Sequence, residues 1–383
     1  MKPTTVAATL AVTDSGTADQ SDVLAELFAR PQFSIPQDDK AELLLHELSD
    51  LVEQHRSTCD AYRRVTDVVG GCGQRPRSLA DLPYLPVSLF KTHHLSSVPA
   101  GEVFKIMTSS GTTGQAVSRI YLDRRTADLQ SRALSAVMSR VLPSERLPMI
   151  IIDTPSVVEN RALFSARSAG ILGMMPFGRR HCYALHDDMT LDYEGLNEFS
   201  DRYSGRPVLL FGFTFMIWKY FLQSIREQSV QIDLSQGILI HSGGWKKLAD
   251  EAVGNAEFKR GLENATGLGR IHNFYGMVEQ VGSVFLEGDD GLLYPPNFAD
   301  VIIRDWRTWA PVPNGVPGVV EVLSVLPRSY PGHVLLTEDL GVIHGIRSDA
   351  DGWAGKQLEI LGRVPRSELR GCSDTFAFDT GRG

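Results

Sequence analysis

Apolar positions along the chain fall into three textures. From Asp38, the residues Leu44, Leu45, Leu48, Leu51 and Val52 return at helical spacing on one face, which predicts a helix capped by Asp38 or Asp39. CDAYRRVTDVVGG predicts further helix up to a glycine stop, and DLPYLPVSLFK is proline-punctuated and extended. VFKIM and VSRIYL predict two strands, followed by a helix over roughly Arg124 to Val141. PMIIIDTP, VLLFGFT and GILIHSGGW are continuous apolar runs closed by turns, as buried strands are. Strands alternating with helical segments predict an α/β fold with a largely parallel central sheet. After Leu292 the texture changes to LLYPPNFADVIIRD, GVPGVVEVLSVL, HVLLTEDLGVI and QLEILGR, short strands with Gly/Pro turns. These predict a β-rich subdomain over about residues 292–363. Residues 1–32 are small and polar and read as a mobile N-terminal arm.

Composition narrows the class. The chain has 383 residues, 43% of them hydrophobic, enough for a large core and for two or three lobes. Its formal charge of −8 disfavours nucleic acid or an anionic membrane as the main partner. No apolar run approaches the roughly 20 residues needed to span a bilayer, and nothing has the pattern of a signal peptide. Cys59, Cys72, Cys182 and Cys372 are far apart and form no metal-ligand spacing. Free thiols in a cytoplasmic protein are the expectation. Arg179, Arg180 and His181 flank Cys182, and positive neighbours of that kind enrich thiolate.

Between the first two strand candidates lies KIMTSSGTTGQAVSRIYLD, residues 105–123. It packs Thr108, Ser109, Ser110, Gly111, Thr112, Thr113 and Gly114 into consecutive positions. It is not a Walker loop, because Gln115 stands where lysine is needed and a strand follows. It is not a dinucleotide turn, because no G-x-G-x-x-G opens a helix. A polar hairpin loop is one reading. Phosphate binding is the other, since glycines let backbone N–H groups approach an anion and the hydroxyls donate further bonds.

The order of motifs favours phosphate. Ser109 to Gly114 resembles the phosphate loop of the adenylate-forming superfamily, which includes acyl-CoA synthetases and peptide-synthetase adenylation domains. NFYGMVEQ supplies its Y-G-x-x-E motif as Tyr275, Gly276 and Glu279; LIHSGGWKK supplies the adenine turn as Gly243 and Gly244. LLTEDLG supplies T-x-D as Thr337 and Asp339, and the G-R pair is Gly362 and Arg363. LPVSLFK, SSGTTGQ, GGWKKL and LRGCS resemble the LuxE-type acyl-protein synthetases, over residues 33 to the end.

The resemblance implies an adenylate-forming domain over 33–363, followed by a tail, 364–383, in place of the usual C-terminal lid and its lysine. It implies ATP and Mg²⁺ as cofactors and an acyl-AMP intermediate formed with release of pyrophosphate. Ser109, Ser110, Gly111, Thr112, Thr113 and Gly114 would hold phosphate, with Thr112 and Thr113 acting in catalysis. Gly243, Gly244, Tyr275 and Gly276 would line the nucleotide, Glu279 would ligate the metal, Asp339 would take the ribose and Arg363 ribose or phosphate. Cys372 would accept the acyl group. Lys246, or Lys247, is a candidate for the missing lysine, against the plainer reading of solvated charges. Glu279 as a surface carboxylate, Asp339 as a turn cap, and His241, His272, Phe213, Phe215 and Trp218 as core residues are the plain alternatives to pocket roles. The expected partners are a carboxylic acid and an acyl-accepting reductase or carrier protein, or CoA. A CoA or carrier-loading ligase, or a silent nucleotide-binding partner of a reductase, are the rival functions.

Overall fold

The computed structural model describes residues 17–69, 75–109, 117–159, 166–228, 232–245, 253–348 and 352–364. Fourteen strands organise these residues: β1 Leu85–Pro86, β2 Lys105–Thr108, β3 Arg119–Leu122, β4 Leu147–Ile152, β5 Gly178–Tyr183, β6 Val208–Phe213 and β7 Gly237–Ser242; then β8 Arg270–Tyr275, β9 Phe285–Glu287, β10 Leu293–Tyr294, β11 Ala299–Arg304, β12 Gly318–Ser324, β13 Val334–Arg347 and β14 Gly355–Arg363. One sheet holds twelve of them, in the order β11-β12-β13-β14-β10-β9-β8-β7-β6-β4-β5, with β1 also on β13. The stretch from β8 to β5 is parallel, and β4, β6 and β7 are buried at every position, as strands covered on both faces must be. From β8 to β11 every pairing is antiparallel.

The parallel sheet and the β-rich stretch are thus both present, as the sequence predicts, and the β-rich stretch is antiparallel. They share one sheet, because β9 turns back on β8 and hands pairing on to β10 and β14. In the β-rich half Phe298, Val301, Val320, Leu323, Leu335 and Tyr330 are fully buried, in one continuous core with the parallel half.

The helices mostly follow the apolar periodicity. The first long one is Gln37–Thr58 and buries Leu44, Leu48 and Leu51. Its N-cap is Pro36, so Asp38 and Asp39 lie in the first turn, where they suit the helix dipole instead of capping. The helix expected over 124–141 ends at Met138, and its cap is Asp123, whose carboxylate accepts from the Thr126 amide at 2.7 Å. The stretch expected to be an arm contains a helix, Thr17–Ala29. Leu27 at its end is fully buried and Phe28 stacks on Phe298 at 5.2 Å, contacts no local pattern announces. No helix among the described residues is long and apolar enough to cross a membrane.

One buried ion pair fastens the antiparallel half. Arg304 on β11 grips both oxygens of Glu321 on β12, and also donates to the carbonyls of Ala80 and Trp309. Burial raises the Glu321 pKa, and the guanidinium works against that rise. Replacing one partner strands the other charge in the core. Arg304→Leu should therefore destabilise the protein by about 3–5 kcal/mol, read as a lower denaturation midpoint, and the double variant with Glu321→Leu should recover most of the loss.

Candidate active site

The parallel strands deliver their carboxyl ends to one edge of the sheet. Ile152 of β4 is level with Gly212, Phe213 of β6 with Ser242, and Ser242 of β7 with Phe274. Gly243 and Tyr275 therefore emerge side by side, at the edge where open α/β sheets bind ligands. Gly243 has φ +87°, a left-handed conformation that suits glycine, and a Cβ there would lie 3.3 Å from the Phe213 ring. At Gly244 a Cβ would meet nothing within 4 Å, so the turn leaves open space above it.

Tyr275 ends β8 and reaches into the antiparallel half. Its hydroxyl donates to Asp339 Oδ2 at 2.7 Å. Asp339 sits on β13 opposite Arg363 of β14, and the Arg363 Nε lies 3.6 Å from its other oxygen. Thr337 steadies the same strand: its hydroxyl donates to the Val320 carbonyl and accepts from the Asp339 amide. Burial raises the Asp339 pKa, and the Tyr275 hydroxyl and Arg363 partly offset it. Burial and the facing Asp339 carboxylate push the Tyr275 phenol well above its ordinary range. Hydrogen-bond donors for a carboxylate and a flanking cation are thus assembled from three strands.

Glu279 follows Tyr275 by four residues on a short 3₁₀ turn, Val278–Gln280. The side-chain amide of Gln280 holds that turn against the carbonyls of Val322 and Gly332. Glu279 is buried, and not the surface carboxylate of the plain reading. Burial raises its pKa, the neighbouring Ser118 hydroxyl is the main opposing influence, and Lys91 also lowers it. Ser118 is itself fully buried, and its oxygen lacks a hydrogen bond of ordinary geometry. A buried carboxylate beside a single buried hydroxyl fits a hard cation that brings its remaining oxygen ligands from phosphates, as Mg²⁺ does. Among the described residues no cluster of three or more His, Cys, Asp or Glu could hold a metal by itself.

The hydroxyl–glycine run joins β2 to β3. The two strands pair antiparallel with Thr108 opposite Arg119. The next residue is Ser109, whose hydroxyl accepts from the Ser118 amide at 2.9 Å and whose amide donates to the Ser118 carbonyl. Ser118 therefore links the paired ends of β2 and β3 to Glu279. Ser110, Gly111, Thr112, Thr113, Gly114, Lys246, Lys247 and Cys372 lie outside the described residues. Ser109, Gly243, Gly244, Tyr275, Gly276, Glu279, Asp339 and Arg363 lie within them. Ser118 was not singled out from the sequence; only the β2–β3 register and the fold behind Glu279 bring it there.

Of the residues with an alternative pocket role, His241, Phe213 and Trp218 are buried and His272 and Phe215 are half-buried. His241 is buried, hydrogen-bonded to Thr214 at 2.9 Å and packed on Phe258, and burial lowers its pKa to about 3. His272 bonds the Glu287 carbonyl. Phe213 and Trp218 are buried, and Phe215 packs against the core.

Cys182 reverses its expectation. Its sequence neighbours are basic, but its thiol lies near the Gly195 carbonyl, and burial, Asp192 and Glu198 together push its pKa up to about 11. At pH 8 a thiol of that pKa is thiolate in only about one molecule per thousand. Iodoacetamide at pH 8 should leave Cys182 unlabelled in the native protein and label it only after unfolding, as read by peptide mass spectrometry. Rapid native labelling of Cys182 would contradict this placement.

The sequence profile of LuxE, acyl-protein synthetase, matches residues 10–379. A long-chain-fatty-acid–luciferin-component ligase of Vibrio harveyi is 24% identical over 329 residues, 84% of either chain. One of Aliivibrio fischeri is 23% identical over 307 residues, covering 78% of this chain and 79% of that one. Among solved structures, 2-hydroxyisobutyryl-CoA ligase in an open conformation with 2-HIB-AMP and CoA superposes with a TM-score of 0.65 at 17% identity, over 90% of this chain and 79% of that chain. Its postadenylation state gives 0.64 at 16% identity, over 88% and 70%. At these identities the structural likeness concerns the fold.

Proposed function

The chain belongs to the LuxE acyl-protein synthetase family, and on that footing we propose that it activates a long-chain or other carboxylic acid with Mg-ATP and passes the acyl group to a thiol. The observation that carries this reading is the Tyr275–Asp339–Arg363 constellation, with buried Glu279 next to Ser118 at the paired ends of β2 and β3. A polyol that donates to Asp339 and a phosphate chain that lies toward those paired ends describe a nucleotide.

The chemistry follows from what a carboxylate lacks. Its oxygen is a poor leaving group, so it must first become an acyl-adenylate. A carboxylate oxygen attacks the α-phosphorus, the bond from that phosphorus to the bridging oxygen breaks, and pyrophosphate departs with the electron pair. Such a transfer depends on positioning and on charge stabilisation. Asp339 orients the ribose, steadied by Tyr275. The glycines and hydroxyls of 109–114 hold the β- and γ-phosphates, with Thr112 and Thr113 as donors. Glu279 would hold a magnesium ion, which would supply positive charge to the phosphate oxygens. The acyl carbon is then taken by a thiol, forming a thioester and releasing AMP. Cys372 is the acceptor in this reading, and a partner protein such as a reductase takes the group next.

The test uses Mg-ATP and a panel of fatty, aryl and small branched acids. Pyrophosphate release is expected with at least one acid, and Glu279→Gln should lose most of it. Thr112→Ala or Thr113→Ala should cost roughly 10²–10³ in rate if these hydroxyls are preorganised donors. Intact-mass analysis should find a hydroxylamine-labile acyl adduct without CoA, absent from Cys372→Ser although that variant still releases pyrophosphate. An adduct that survives in Cys372→Ser, or acyl-CoA formed efficiently by it, would move the function to a CoA ligase.

A further inference from the structure

We propose that the segment Asp374–Asp379 of this chain docks on the outward face of the paired strands β2 and β3, and that this contact sets where Cys372 stands. The consequence for Cys372 rests on the reading of that thiol as the acyl acceptor; the docking itself does not.

Register makes the face. Lys105 is opposite Leu122, Ile106 opposite Tyr121, Met107 opposite Ile120 and Thr108 opposite Arg119. Directly opposed residues share a face, and successive residues alternate between faces. One face carries Ile120 and Leu122, both buried in the core. The other carries Ile106 and Tyr121, with Phe104 two positions before Ile106. Phe104 is 51% exposed and Ile106 53%. Single exposed apolar side chains are ordinary on a protein surface. Here two stand at strand spacing on one face, and the His94 ring extends it by lying 4.3 Å from that of Tyr121. The rim is basic. The Arg124 guanidinium lies over the Phe104 ring at 4.2 Å, and Arg119 is exposed at the other end of the face. Asp123, the carboxylate that follows β3, is engaged in accepting from the Thr126 amide.

Path and sequence choose the occupant. The chain passes into residues 365–383, outside the described residues, at Val364, whose amide donates to the Glu338 carbonyl. Strand β1 runs beside β13, the Val87 amide donates to the Leu336 carbonyl, and Lys91 Nζ lies 3.7 Å from Glu338 Oε1. His94 follows on the same segment and meets Tyr121. Residues 85–94 therefore lead from the point where the tail departs to the apolar face. An extended chain from Val364 to Phe376 reaches up to about 40 Å. The tail string DTFAFD alternates, so an extended backbone puts Phe376 and Phe378 on one side, at the spacing of Phe104 and Ile106. Asp374 and Asp379 flank the two rings and complement Arg119 and Arg124. Cys372 precedes Phe376 by four residues, so docking confines its thiol to within about 14 Å of the seated ring. Ser109 and Ser118, at the ends of the same two strands, adjoin Glu279.

A photoreactive benzoylphenylalanine installed at position 106 of the full chain reports what covers this face, with the cross-link located by peptide mass spectrometry. An adduct within 374–379 of the same chain is expected, with a yield independent of protein concentration. Phe376→Ser with Phe378→Ser should lower that yield about tenfold or more, because the rings supply the buried apolar area. Arg119→Glu with Arg124→Glu should also lower it, and adding Asp374→Arg with Asp379→Arg should restore it. No cross-link, a cross-link to another segment, or one to a second copy that grows with concentration overturns the docking. In the double Phe variant the melting temperature and pyrophosphate release should hold, while the acyl adduct on Cys372 forms more slowly. Wild-type acylation in that variant overturns the role in placing Cys372. If no acid gives pyrophosphate release, the proposed function falls, and the cross-link still decides the docking.

Discussion

The hydroxyl of Tyr275 donates to the carboxylate of Asp339, and this bond joins the two halves of the molecule. One partner ends the last parallel strand and the other lies in the middle of the longest antiparallel strand. The remaining site residues are placed by these two strands. Glu279 follows Tyr275 on the next turn, Glu338 precedes Asp339, and Arg363 faces Asp339 across β14. If β13 slipped by one residue, Asp339 would exchange faces with Glu338, and Tyr275 would lose its acceptor.

The same geometry explains why the site is acidic. Burial raises the pKa values of both Glu279 and Asp339, so each carboxylate is held at an electrostatic cost that a hydroxyl or a cation reduces only in part. Buried groups of this kind are relieved by a bound cation or by hydrogen-bond donors on a ligand. The magnesium nucleotide of the proposed function would supply both.

Stability is secured away from that edge. Arg304–Glu321 and Arg328–Glu47 are buried pairs, and both fasten the antiparallel half. The Glu47 pair ties it to the helix Gln37–Thr58, which also donates from Gln54 to the Arg328 carbonyl. Family membership and fold agree on a ligase architecture. Cys182 has acidic and buried surroundings that raise its pKa, in spite of the basic residues beside it in sequence.

Periodicity and local preference in the sequence determined the elements. The continuous apolar runs that became 147–152, 208–213 and 237–242 read as buried strands, and the change of texture after Leu292 read as a β-rich stretch. The ordered motifs marked the family and most of the candidate site, because glycine, hydroxyl and carboxylate chemistry is written in short local strings. Tertiary structure alone decided which groups face each other. Tyr275 and Asp339 are 64 positions apart, Ser118 meets Glu279 from another sheet, and Lys91 reaches Glu338 through the pairing of β1 with β13. The helix Thr17–Ala29 owes its burial to Phe298, and the Cys182 thiol owes its pKa to Asp192 and Glu198. A sequence carries the period of each strand, but its partner and register are set by the packing of segments distant in the chain, and burial and charge at a site follow from that packing.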